Sequence, residues 1–212
     1  MRLFEEFKAE HLLVDRVAGS LIHFAELAAG GEFSEEDIAD FVSFFRVFVA
    51  GYHHEREEQT LFPVLVERAE VPADRGPLPS IEADHRTTAT LVDELEEAGG
   101  NRVRLAGAAK RLAHHLWEHV DKEDSVLFPE SSERLRRNGV TRLEGRTPTD
   151  EEVAARQIGE SLTERFPPLD DPEVVRGDGC IGCSAFGETC GGIETEWWNT
   201  CEREYHRSLD EG

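Results

Sequence analysis

Lysine is almost missing from this chain of 212 residues: it occurs only at Lys8, Lys110 and Lys122. With 23 lysines and arginines against 45 aspartates and glutamates, the formal net charge is −22. Nucleic acid asks for basic patches and anionic membranes attract polybasic ones, so neither is an expected partner. The acidic, lysine-poor balance fits a salty cytoplasm or a plain composition bias equally well. Long hydrophobic runs are missing too: nothing approaches the roughly 20 apolar residues that span a bilayer. The opening MRLFEEFKAEH is acidic and amphipathic, unlike a signal peptide, so a reducing cytoplasm is the expected setting. Cysteine is absent before Cys180, which removes thiolates from most of the chain. No serine or cysteine nucleophile with a partnered base stands out, and hydrolytic chemistry has no support.

What is present is a helical rhythm. Phe4, Phe7, His11, Val14, Ala18, Leu21, Ala25 and Ala28 step by three and four, one face of a helix that Gly30-Gly31 would end. Ser34 with Asp37 reads as the N-cap of a second helix with the stripe Ile38, Phe41, Phe45, Val49, His53 and Glu57. Pro63 predicts a kink or an end to it. Ser80 can cap a third helix along Ile81, His85, Thr88, Val92 and Leu95, stopped by Gly99-Gly100. A fourth carries Leu105, Ala108, Leu112, His115, His119, Glu123 and Val126 and fades near Asn138-Gly139. The expected fold is all-α, an antiparallel four-helix bundle over residues 1–140. Residues 141–212 form the expected C-terminal extension: a short helix begun by a Thr149/Glu152 capping box, the linker FPPLDDPE, and a cysteine-containing segment with Trp197 and Trp198.

The two halves of the bundle repeat one another. Glu10-His11 matches Asp84-His85, and HHEREEQTLFP at 53–63 matches HVDKEDSVLFP at 119–129. Each of the four helices thus points a histidine inward, and two add a glutamate four residues on, where it lies one turn above the histidine. Burying unpaired carboxylates costs several kcal/mol each, a penalty that a metal ion removes. Imidazole and carboxylate together favour iron over calcium, and the missing thiolates disfavour structural zinc.

With these residues the chain resembles the hemerythrin-like proteins, also called the HHE cation-binding domain; the likeness covers roughly its first two-thirds. The resemblance implies a non-heme di-iron centre inside a four-helix bundle. Two glutamates bridge the irons, and one position is exchangeable for dioxygen or related ligands. The expected metal ligands are His11, His53, Glu57, His85, His119 and Glu123, for two iron ions, with manganese as the chemical alternative.

The internal repeat selects His53 over His54. His53 and His119 both lie ten residues before the proline of Leu-Phe-Pro, whereas His54 is rotated by about 100° on an α-helix. His54 can reach the edge of the site, but the plainer expectation is a solvated or interhelical histidine, and Glu55 and Glu58 are expected to face water. His115, one turn before His119, is a candidate fifth histidine that would make the two metals inequivalent, or a donor that orients a ligand. Tyr52 is expected to pack in the core, with a hydrogen bond to a bound ligand as the alternative, and His23 to be ordinary. Cys180, Cys183, Cys190 and Cys201 permit a separate zinc site or an iron–sulfur cluster, with a disulfide or free thiols as alternatives.

The expected function is binding or sensing of dioxygen, peroxide or nitric oxide. The alternatives are an oxidoreductase with its own redox partner, and iron storage or delivery for iron–sulfur repair.

Overall fold

Several of the expected helix boundaries are set by a glycine or a capping side chain. A computed structural model describes residues 1–174; the cysteine segment with Cys180, Cys183, Cys190 and Cys201 lies outside the described residues. Helix α1 (Arg2–Gly30) stops where Gly31 takes the left-handed conformation, φ 93°, which costs glycine little. Helix α2 (Glu35–Ser43) opens with a full Ser34/Asp37 capping box and runs on, without a break, through two π-helical stretches, Phe44–His54 and Glu57–Leu61, into α3 (Phe62–Ala69). Helix α4 (Pro77–Ala98) begins at Pro77, three residues before the expected cap at Ser80. In the first turn a proline's missing N–H removes no helical bond and its fixed φ suits the helix. Helix α5 (Arg102–Lys122) continues through a third π-helical stretch, Glu123–Leu127, into α6 (Phe128–Arg137). A Thr149/Glu152 capping box then starts α7 (Asp150–Arg165). The described residues thus form five helical rods and no strand.

Neither Pro63 nor Pro129 ends its rod. Proline cannot donate to the carbonyl four residues back, and its ring crowds that carbonyl. In both rods the turn before the proline is wound more widely. The Phe62 N–H bonds the Glu57 carbonyl and the Phe128 N–H bonds the Glu123 carbonyl, five residues back in each case. Winding of this kind recurs at functional sites, and here each wide turn begins on a glutamate of the repeat.

The core is split into two apolar clusters. One gathers Val14, Leu21, Phe41, Phe45, Val49, Val92, Leu95, Leu112 and Leu116. The other holds Leu3, Phe4, Phe7, Leu61, Leu65, Ile81, Leu127 and Phe128. Each fully buried side chain of this size stabilises the fold by about 1.5–3 kcal/mol. Along each of the first four rods the chain leaves one cluster and enters the other just where the histidines and glutamates stand. The polar residues therefore form a layer closed off by hydrocarbon on both sides.

Helix α7 is a fifth rod laid against the bundle. Leu162 and Ala155 are buried, and Phe166 just beyond packs on Phe24 and Phe41. Gly159 is needed because a Cβ there would sit 2.4 Å from the Phe44 ring. No helix among the described residues is long and apolar enough to cross a membrane.

Candidate metal centre

Five histidines and two glutamates meet in the polar layer. His11 comes from α1, His53 and His54 from the first π-helical stretch, and Glu57 opens the second. His85 comes from α4, His119 from α5, and Glu123 opens the third stretch. Their donor atoms fall into overlapping groups, each within 4.8 Å: His11, His53, Glu57 and Glu123; Glu57, His85, His119 and Glu123; and His54, His85 and His119. Glu57 and Glu123 belong to two groups and stand between them. All seven residues are buried, both glutamates completely.

The layer leaves many polar atoms without a hydrogen-bond partner. Both oxygens of Glu57 and of Glu123, both ring nitrogens of His54 and of His119, and Nε2 of His85 have none. Charged neighbours are close but not aligned: His85 Nε2 is 3.2 Å from Glu57 Oε2, and His119 Nε2 is 3.4 Å from Glu123 Oε2. Orphaned polar groups in a dry interior are costly, and metal ligation would satisfy the glutamate oxygens and one nitrogen of each of these imidazoles. The Nε2 atoms of His11 and His53 lie 2.9 Å apart. Two nitrogens bound at about 2.1 Å to one ion, at roughly a right angle, would stand about 3 Å apart. The residues fit a metal.

Electrostatics point the same way. Burial alone would lower the pKa of His11, but the Asp124 and Glu123 carboxylates outweigh it and raise it to about 10. At His85, burial is outweighed by Glu123, Glu57 and Glu58, and the pKa rises to about 11. Burial would raise Glu123, yet His119, His11 and His85 hold it well below the usual carboxylate range. The carboxylates thus draw protons onto two imidazoles, which supply the positive charge that an ion would bring. His54 is held neutral, by burial first and then by its histidine neighbours.

Three further carboxylates hold histidines from behind, and a fourth stands near one. Glu10 accepts from His53 Nδ1 at 2.8 Å, Asp124 from His11 Nδ1 at 3.0 Å, and Glu58 from His85 Nδ1 at 2.6 Å. Asp84 lies 3.7 Å from His119 Nδ1. A carboxylate on Nδ1 turns Nε2 toward a metal and raises its basicity. Cations steady two of these acids: Arg56 donates to Glu10 at 2.6 Å, and Lys122 donates to Asp84 at 2.9 Å. The repeat explains the pattern, since Arg56 and Lys122 both lie three residues after a ligand-type histidine. The signal was in the dipeptides: an acid precedes both lone histidines (Glu10-His11, Asp84-His85) and follows both inward glutamates (Glu57-Glu58, Glu123-Asp124).

The structure differs from expectation at three positions. His54 is not solvated: it is 3 % exposed and lies between helices, against His85 of α4 and His119 of α5, inside one of the donor groups. The π winding is the cause, because a turn closed five residues back rotates less per residue than an α turn. It lets Phe44 and Phe45, Phe48 and Val49, and His53 and His54 all face inward. His115, a candidate for a fifth histidine ligand or an orienting donor, is only half-buried, belongs to none of the donor groups, and donates to the Asp84 backbone carbonyl at 2.9 Å. Glu58 keeps one side to water but also backs His85. Tyr52 packs between the guanidinium groups of Arg56 and Arg146, at 4.2 and 5.0 Å, and His23 bonds the Pro167 carbonyl.

Comparison with known proteins agrees with a metal-binding protein. Over 87 residues the chain is 32% identical to the iron–sulfur cluster repair protein YtfE of Edwardsiella ictaluri (strain 93-146). That match takes in 36% of this chain and 39% of the relative. No solved structure matches. The model of the hemerythrin HHE cation-binding domain matches residues 2–131, the stretch that carries every inward histidine and glutamate. Clustered imidazoles and carboxylates without thiolates fit a non-heme iron-binding protein. The chain belongs to the hemerythrin HHE cation-binding family.

Proposed function

We propose that this protein holds two iron ions and binds or senses dioxygen, peroxide or nitric oxide at them. Manganese is the alternative that the same ligands accept. The observation that carries the reading is the sharing of Glu57 and Glu123 between two donor groups. His11 and His53 would hold one ion, His54, His85 and His119 the other, and the two glutamates would bridge them. When bound, the pair supplies electrons and an exchangeable coordination position for a small ligand. The side with two histidines has fewer protein donors and is where that position is expected.

The chain's own residues do the rest. Glu10, Asp124 and Glu58 hold the imidazole rings of His53, His11 and His85 by Nδ1 and turn Nε2 toward the centre, while Asp84 stands 3.7 Å from His119 Nδ1. The apolar clusters on either side exclude water and deny large substrates entry. Because the rods alternate in the order in which they cross the two clusters, an antiparallel four-helix bundle is the arrangement we favour. Residues 1–140 would form that bundle and residues 141–212 an extension to it.

Repair of iron–sulfur centres, by storing or delivering iron, is the second reading, favoured by the name of the similar protein. A di-iron oxidoreductase working with a redox partner is the third. Metal analysis of anaerobically purified protein, with spectra before and after air, separates them. Two irons and a reversible oxygen adduct support binding or sensing. Peroxide turnover supports an enzyme, transfer of iron to an apo iron–sulfur acceptor supports repair, and absence of iron removes all three.

A further inference from the structure

Arg146 lies beyond the family-matched stretch, on the extended segment between α6 and α7, yet it reaches the helix that carries His53 and His54. Its guanidinium donates to the Gly51 carbonyl at 2.9 Å. It also donates to Glu55, and to both oxygens of Glu152 in the first turn of α7, at 2.6 and 2.8 Å. Gly51 has no side chain to cover its carbonyl, which leaves that oxygen open to a guanidinium. The segment closes in further along: a Cβ on Gly145 would meet Arg56 Nε at 2.8 Å. Helix α7 then runs over Phe44, at the start of the same π-helical stretch.

A continuous set of contacts leads from there to the metal centre. Arg146 covers the Tyr52 ring, and Arg56 lies over that ring at 4.2 Å. Arg56 donates to Glu10 at 2.6 Å, and Glu10 accepts from His53 at 2.8 Å. The second half has only the looser version, Lys122 to Asp84 at 2.9 Å and Asp84 to His119 at 3.7 Å. The tighter half is the one the C-terminal segment touches.

We propose that residues 143–165, centred on Arg146, are a positioning brace of the metal centre. They hold the Phe44–His54 stretch in the winding that turns His53 and His54 inward together, and through Arg56 and Glu10 they fix the His53 ring. Residues 48 to 54 are a poor place to spend π winding unless something outside the helix holds it, because π-helical turns are rare and short in isolation. The brace rests on the metal-centre reading above for its purpose, but its mechanical part does not.

The test uses the full chain, with Arg146→Ala, Arg146→Lys and the distant control Arg111→Ala. Amide hydrogen exchange of the metal-free proteins comes first. In Arg146→Ala, amides of residues 48–57 exchange about tenfold faster, while those of α4 and α5 stay protected and show that the bundle is folded. Cobalt(II) titration follows, read by visible absorption. Arg146→Ala binds the second ion about tenfold more weakly than wild type with altered band intensities. Arg146→Lys restores part of both, and Arg111→Ala changes neither. Unchanged exchange over 48–57 overturns the brace, as does faster exchange with wild-type cobalt binding. If Arg146→Ala does not fold, the wild-type-to-lysine comparison carries the same two outcomes. A wild-type protein that takes up no cobalt fails the metal-centre reading, while the exchange data still decide the brace.

Discussion

The imidazoles of His54 and His85 lie face to face, ring centroids 3.8 Å apart and planes 9° apart, in the interior of the polar layer. Neither nitrogen of His54 has a hydrogen-bond partner. A neutral imidazole is buried without partners only at considerable cost, which makes His54 a candidate ligand.

His54→Ala is therefore expected to weaken one of the two metal ions by tenfold or more, on the order of the loss seen when metal-site residues are removed. His115→Ala should keep both ions within about twofold, since His115 only bonds the Asp84 carbonyl. Isothermal titration with cobalt(II) checks both. Full metal content in His54→Ala with loss in His115→Ala would move the fifth histidine ligand from His54 to His115.

Arg56 is 1 % exposed and pairs with both Glu10 and Glu6. Arg56→Leu leaves the Glu10 carboxylate buried with no guanidinium, a change worth about 3–5 kcal/mol of stability. The exposed Arg111, paired with Glu94, should cost under about 1 kcal/mol as Arg111→Leu. Urea denaturation of the metal-free proteins measures the difference.

Two helical glycines should respond in opposite directions. Gly159→Ala drives a Cβ into Phe44 and is expected to destabilise by about 1–3 kcal/mol, as overpacking does. Gly30→Ala meets nothing within 4 Å and should stabilise by about 0.4–1 kcal/mol through the unfolded chain. Thermal melts that rank both the same way would contradict the packing of α7.

Metal removal should lower the melting temperature. An ion present at a hundredfold excess over its dissociation constant stabilises the native state by about 2.7 kcal/mol, which for a domain of this size is about 5–10 °C. Calorimetry with and without a chelator tests it; identical melts would mean that the folded protein does not prefer the ion.

Acid should release α7 through Glu152. Arg146 first, and then the Thr149 bonds, hold its carboxyl down at about 2 from an ordinary 4.5. A depressed folded-state pKa means that the contribution is complete above about pH 4.5 and disappears as pH falls toward 2. The stability gap between wild type and Glu152→Gln should be constant near neutrality and close over that window. A gap that persists at pH 2 would show that the charge is not its origin.

Much of the fold was legible because it depends on short-range rules. The stripe from Phe4 to Ala28 is buried throughout, Gly31 ends α1, and the Ser34/Asp37 and Thr149/Glu152 boxes open their helices. Ser80 misled because a serine cap and a proline first turn are both valid starts, and local sequence does not rank them. His54 and His115 misled for other reasons. His54 stands in a π-helical stretch, where α-helical spacing does not hold; His115 is α-helical, and its ring is taken by the Asp84 carbonyl of a neighbouring rod.

The sequence by itself determined which residue types would meet inside: the 3.6-residue stripe is a local property, and the repeat doubles each signal. Composition also excluded thiolate ligands from the bundle. Tertiary structure decided which of the neighbours His53, His54 and His115 face the centre, and which acids back them. Glu10 and His53, or Glu58 and His85, come from different rods. Only packing of those rods, and the π winding held within it, brings their atoms within 3 Å of each other.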